Sequence, residues 1–109
     1  MNTRGVTVAA RSDGDAVFIA IAGEIDLSNA EFVEQQIVRE ITNHTMKASI
    51  DLTAVDYIDS IGMRVLFTIA IQMETTQIGL TVIAPIGSPA RRVIEISGFD
   101  SIVALEPAV

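Results

Sequence analysis

The stretch Ala48–Met73, ASIDLTAVDYIDSIGMRVLFTIAIQM, decides how this chain folds. Ala48 to Leu52 reads as a buried strand, followed by a short acidic crossing that holds Asp56 and Asp59. A nearly all-apolar helix then runs from about Ser60 to Thr75. Its polar residues Arg64, Thr68 and Gln72 recur every fourth position and define one narrow wet stripe. Val65, Leu66, Ile69, Ala70 and Met73 face the core, while Met63, Phe67 and Ile71 lie on a flank beside the stripe. Ser60 stands where strand gives way to helix. A hydroxyl held there among carboxylates is either a helix cap or a switch.

Downstream, Gly79 lies beyond the helix, and Leu80 to Ala84 forms a short apolar strand stopped by Pro85. Ser88 followed by Pro89 sets an N-cap with proline at the first helical position, where no amide hydrogen bond is lost. That helix ends at Gly98, suited to the left-handed C′ position, with Phe99 able to fold back on Ile94. Ile102 to Leu105 supplies a last strand.

Upstream, Val6–Ala10 and Ala16–Ala22 are β-rich runs joined across Asp13-Gly14, a hairpin signal. The second run, AVFIAIA, is almost continuously apolar and is expected to be a central strand covered on both faces. Ser28 is expected to open the first helix through a capping box with Glu31 and a staple between Leu27 and Phe32. That helix should end near Asn43, leaving His44 in the connection to the Ala48 strand. The order is β-β-α-β-α-β-α-β. It predicts one α/β domain over residues 1–109: a single mixed, largely parallel β-sheet packed by about three α-helices.

Composition narrows the function. The chain has 109 residues, half of them apolar, enough for a core of its own. It has no cysteine, so neither disulfides nor thiolate metal sites are available, which fits a reducing, cytoplasmic setting. The start lacks the apolar run of a secretion signal, and Arg64, Thr68 and Gln72 break the most apolar segment, so no membrane span is expected. Fourteen acidic residues against seven basic ones give a net charge of −7. Such a surface repels nucleic acid and anionic lipid, and the partners expected are proteins.

Catalysis finds little support in the residues. A serine nucleophile needs a base within reach, and the one histidine, His44, lies at the far end of the first helix from Ser60. No glycine-rich phosphate loop occurs, Asp56 and Asp59 are too unspecific a pair to define a metal site, and no cofactor is called for. What remains is one edge of the sheet. Glu24 and Asp26 follow one strand; Asp56, Asp59 and Ser60 follow another. Strand C-termini and helix N-termini form the usual binding edge of such sheets.

Three segments carry a resemblance. Gly23-Glu24-Ile25-Asp26, Ile50-Asp51-Leu52 and Tyr57-Ile58-Asp59-Ser60-Ile61-Gly62-Met63-Arg64-Val65-Leu66 closely resemble the STAS domain, in particular the free-standing bacterial anti-sigma factor antagonists. The resemblance extends over essentially the whole chain. It implies a partner-switching regulator that is not an enzyme. Ser60 would be phosphorylated by an anti-sigma factor that is also a serine kinase, and a separate phosphoserine phosphatase would reset it. The partner-binding face implied holds Glu24, Asp26, Ser28, Asp56, Asp59, Ile61, Gly62, Met63, Arg64 and Phe67. Many relatives carry a second serine or threonine where this chain has Ile61, so Ser60 is the one acceptor hydroxyl there. A non-phosphorylated scaffold or transporter-associated subunit, and a nucleotide- or lipid-binding module, are the alternatives within the family. Whether the chain forms a homodimer stays open at this point.

Overall fold

A computed structural model describes residues 2–3 and 5–108, with side chains from residue 5 onward. Six strands, β1 (Asn2–Thr3), β2 (Val6–Asp13), β3 (Ala16–Ile25), β4 (Lys47–Ile58), β5 (Gly79–Ile83) and β6 (Ala104–Glu106), form one sheet in chain order. The pairs β1–β2 and β2–β3 are antiparallel; β3 through β6 run parallel. The parallel steps are made by α1 (Ala30–Glu40), α2 (Ser60–Thr75) and α3 (Pro89–Ser97). A short 3-10 turn, Phe99–Ser101, precedes β6.

Because the parallel strands are laid down in sequence, every right-handed crossover falls on the same side of the sheet. A single core results. Val33 and Ile37 of α1, Leu66 and Ile69 of α2, and Ile94 of α3 meet Ile19 and Ile21 of β3 and Ile50 and Leu52 of β4. The expectation that AVFIAIA is covered on both faces is therefore corrected. Val17, Ile19 and Ile21 are buried, whereas Phe18 and Ala22 are half-buried and Ala20 is exposed. Alanine raised the apolar content of this run without needing burial on its own face.

Strand β4 also departs from expectation. It continues through Thr53–Ile58, so the acidic crossing is strand rather than loop. Two irregularities in its pairing with β3, between Ala20 and Ala22 and between Gly23 and Glu24, each insert a residue into β4. They carry burial from Ala48, Ile50 and Leu52 onto Val55 and then Ile58, keeping the core face continuous. Gly23 cannot carry a side chain. Its φ is 101°, and a Cβ would stand 2.0 Å from the Gly5 carbonyl oxygen.

Helix α2 spans the predicted residues, with Val65, Leu66, Ile69, Ala70 and Met73 buried. For α3, Ser88 accepts a hydrogen bond from the Arg91 amide and Gly98 is left-handed at φ 79°, as its sequence requires. The first helix opens later than expected and closes at Glu40. Ser28 forms no capping box, and Leu27 is exposed rather than stapled to Phe32.

Candidate functional site

The C-terminal ends of β3 and β4 lie side by side, Ile25 level with Ile58, and each leads into a helix through a short acidic turn. Asp59 ties the two turns together. It occupies the N-cap position of α2, and its Oδ1 accepts the Gly62 amide at 2.8 Å. Its Oδ2 accepts the Leu27 amide of the neighbouring turn at 3.1 Å, while its own amide donates to the Ile25 carbonyl at 3.1 Å. Gly62 makes this closeness possible, since a Cβ there would come within 2.9 Å of both Ile25 and Ile58 side chains.

With Asp59 acting as cap, Ser60 is the first residue of α2 and is exposed. Its hydroxyl makes no hydrogen bond to the described residues. The sequence left Ser60 as cap or switch; the cap is Asp59.

The other turn is organised around Asp26 and Asn29. The Asp26 carboxylate accepts both the amide and the hydroxyl of Ser28, at 2.9 and 2.6 Å. Asn29 is buried at 2 % exposure. Its side-chain oxygen accepts the Asp26 amide at 3.0 Å and its side-chain nitrogen donates to the Glu24 carbonyl at 2.7 Å. This clasp holds Glu24 and Asp26 in place, and nothing in the sequence reading singled it out. Its signal was an amide side chain one position before the first buried residue of the helix, Ala30.

Beside Ser60 lies a groove of about 460 Å3 between α2 and α3, lined by Ile58, Asp59, Met63, Arg64, Phe67 and Val93, with Ile96 and Ser97 beyond. Met63 is buried in its floor, and Phe67 packs edge-on against Phe99 with ring centroids 5.0 Å apart. The flank expected to be sticky is thus half consumed by the core, and Ile71 lines a different groove, between α1 and α2. The missing apolar surface comes from α3. Ala90 and Ile94 fill the core from that helix, leaving Val93 and Ile96 as a second apolar stripe on its outer face. That stripe was legible in the spacing. Around the same edge, Leu27 after β3, Tyr57 near the end of β4, Ile86 after β5 and Ile96 are all exposed, Ile86 and Ile96 by about 80 %.

The predicted site residues therefore fall into three groups. Asp59, Ser60, Met63, Arg64 and Phe67 share the α2–α3 groove. Glu24, Asp26 and Ser28 belong to the adjoining turn, joined to the first group through Asp59. Asp56 sits on β4 and lines a separate depression with Tyr57, Gly87 and Arg92. Gly62 is buried and Ile61 half-buried, so both lie beneath the surface of this edge.

Residues 7–109 match the model of the STAS domain. The chain belongs to the STAS family. Among curated relatives, the STAS chain is 35% identical over 89 residues to a putative anti-sigma factor antagonist, BtrV, of Bordetella bronchiseptica, covering 81% of this chain and 76% of that protein. It is 30% identical over 98 residues to the anti-sigma-F factor antagonist RsfB of Mycobacterium tuberculosis, covering 87% and 76%. In three dimensions it superposes on an anti-sigma factor antagonist from Mycobacterium paratuberculosis with a TM-score of 0.86 at 27% identity, covering 95% of this chain and 87% of that one. No helix among the described residues of this STAS domain is long and apolar enough to cross a membrane.

Proposed function

We propose that this STAS domain is an anti-sigma factor antagonist whose edge around Ser60 binds an anti-sigma factor with serine-kinase activity, and that Ser60 is the residue phosphorylated. The observation that carries the proposal is the free, exposed hydroxyl at the first position of α2, relieved of capping by Asp59. A hydroxyl already committed to a helix amide would have to break that bond to react. The naming of two relatives as anti-sigma factor antagonists supports the class of partner.

In the reaction, Ser60 Oγ attacks the terminal phosphorus of a nucleoside triphosphate held by the kinase. The P–O bond to the nucleoside diphosphate breaks, and the serine proton passes to a base on the kinase. A phosphoserine phosphatase would return the hydroxyl by hydrolysis, releasing inorganic phosphate. Neither step asks this chain for a catalytic group or a cofactor. The pathway is cytoplasmic, where the nucleotide is.

The switch follows from charge. Phosphorylation adds roughly −1.5 to −2 charges beside Asp59 and the Asp26 turn. The unmodified edge presents Leu27, Ile86 and Ile96 to a partner, and a partner covering them also covers Ser60. Once phosphorylated, that contact would have to strip water from a phosphate crowded by carboxylates. A loss of about 3 kcal/mol weakens binding more than a hundredfold, without any change of fold.

The kinase captured from the native host provides the test. Ser60→Ala should bind it and take up no phosphate, while Ser60→Glu should bind about a hundredfold more weakly. Equal binding by the two variants, or phosphate found on another residue, would overturn the proposal.

A further inference from the structure

Among the described residues, no helix covers one face of the sheet around β3, where Ala20 is exposed and Phe18 and Ala22 are half-buried. Strand alternation turns Phe18, Ala20 and Ala22 of β3 away from the helices. The registers place Ala9 and Arg11 of β2, Ser49 and Asp51 of β4, and Ile83 of β5 beside them. The centre is hollow because Ala9, Ala20 and Ser49 are small, leaving a depression of about 240 Å3. One wall is Phe18, with the Arg11 guanidinium 4.3 Å above its ring centroid. Asp51 and Ile83 lie on the other side.

On the two strands that flank β3 the charges of this face follow a pattern, while Glu24, next in the β3 alternation after Ala22, stands at the far end of that strand. On β2, Asp13 lies level with Ala16, and Arg11 lies level with Phe18. On β4, Lys47 lies level with Ala16, and Asp51 lies level with Ala20. Each flank therefore carries one acid and one base, in reversed order along the strands. One Asp51 oxygen already accepts the Thr53 amide and hydroxyl, at 2.9 and 2.5 Å. Its other oxygen has no partner among the described residues.

We infer that this face binds a second copy of the same chain, sheet on sheet, about a two-fold axis running along β3. The rotation lays β2 of each copy over β4 of the other. Asp13 then opposes Lys47 of the second copy and Arg11 opposes its Asp51, each pair occurring twice, as a self-complementary interface requires. Phe18 meets its own counterpart near the axis. Arg11 has one two-residue step to span, about 6.7 Å along the strand, within an arginine's reach. The alanines let the two sheets close to about 10 Å, the spacing of aligned sheets. Reversed pairing with any other strand over β2 loses the match of signs. Ser60 and the α2–α3 groove lie on the helix side, so both copies keep that site open.

The inference does not depend on Ser60 being phosphorylated, and sedimentation equilibrium of the full chain tests it. The native chain should show a monomer–dimer equilibrium. Arg11→Glu and Asp51→Arg should each weaken dimerisation by about a hundredfold, since each variant sets like charges against one another twice. An equimolar mixture of the two variants should dimerise as the native chain does, because the mixed pair restores both contacts. Ala20→Arg, which fills the depression from an exposed position, should also give a monomer. A native chain that stays monomeric up to about 1 mM would overturn the inference. Variants that dimerise unchanged, or a mixture that stays monomeric while both variants give native circular dichroism, would do the same.

Discussion

The turns that lead into α1 and α2 use the same residue types for different ends. Each places a serine and an aspartate between a strand and a helix. In the first, the Ser28 hydroxyl is held by Asp26 at 2.6 Å and the helix begins two residues later. In the second, the aspartate comes directly before the serine, takes the cap itself and leaves Ser60 free. Order and spacing, rather than composition, separate a hydroxyl held by its neighbour from one left exposed and unbonded. The two turns are also unequal partners, because Asp59 supports both while Asp26 bonds only within its own turn.

The sharpest way to break this comparison is chemical. Incubated with the cognate kinase and ATP, the native chain and Ser28→Ala should each gain one phosphate, and Ser60→Ala none, by intact mass spectrometry. Phosphate on Ser28 would reverse the assignment of roles. The next largest effect is on stability. Asp59→Ala removes two bonds to a charged acceptor and loosens both turns, at a cost of about 2–3 kcal/mol in urea unfolding. Asp26→Ala should cost about 1 kcal/mol, because its two bonds reach a single exposed residue. If the two substitutions cost the same, Asp59 is not the link between the turns.

How far each turn could be read from sequence follows from the range of its contacts. The span of α2, its buried stripe, the Ser88-Pro89 start and the Gly98 stop are encoded within a turn of helix, and local spacing displayed them. The bond from the Leu27 amide to Asp59 crosses 32 residues and depends on β3 lying beside β4, which no local pattern states. The same holds for β4 beyond Leu52. Asp56 looks like a turn residue in sequence, yet it is the extra strand residue between Val55, level with Gly23, and Tyr57, level with Glu24. Ser28 misled for a different reason. Serine three residues before Glu31 fits a capping box, but Asp26 offers a charged acceptor to the same hydroxyl, and a charge-assisted bond wins over a neutral one.

Asn29 gives the third comparison of size. Asn29→Ala leaves the Asp26 amide and the Glu24 carbonyl without their side-chain partners in a closed site, which should cost about 2 kcal/mol. The damage should stay in the first turn: Asn29→Ala should still accept phosphate at Ser60. A variant that unfolds mildly and also loses phosphorylation would mean that the kinase reads the Glu24–Asp26 turn directly.

The smallest effect is the most discriminating between the two serines as structural groups. Ser28 is exposed, its helix starts without it, and its hydroxyl bonds only to Asp26. Ser28→Ala should therefore change stability by under about 0.5 kcal/mol. A genuine capping serine would cost about 1 kcal/mol on the same substitution. Ser88, which does accept the Arg91 amide at 3.2 Å, supplies that reference inside the same molecule. Ser88→Ala should cost more than Ser28→Ala in parallel urea titrations, and Ser60→Ala should behave like Ser28→Ala. Were Ser60→Ala to cost as much as Ser88→Ala, its hydroxyl would be carrying part of the cap after all, and phosphorylation would have to be opposed by the stability of α2 itself.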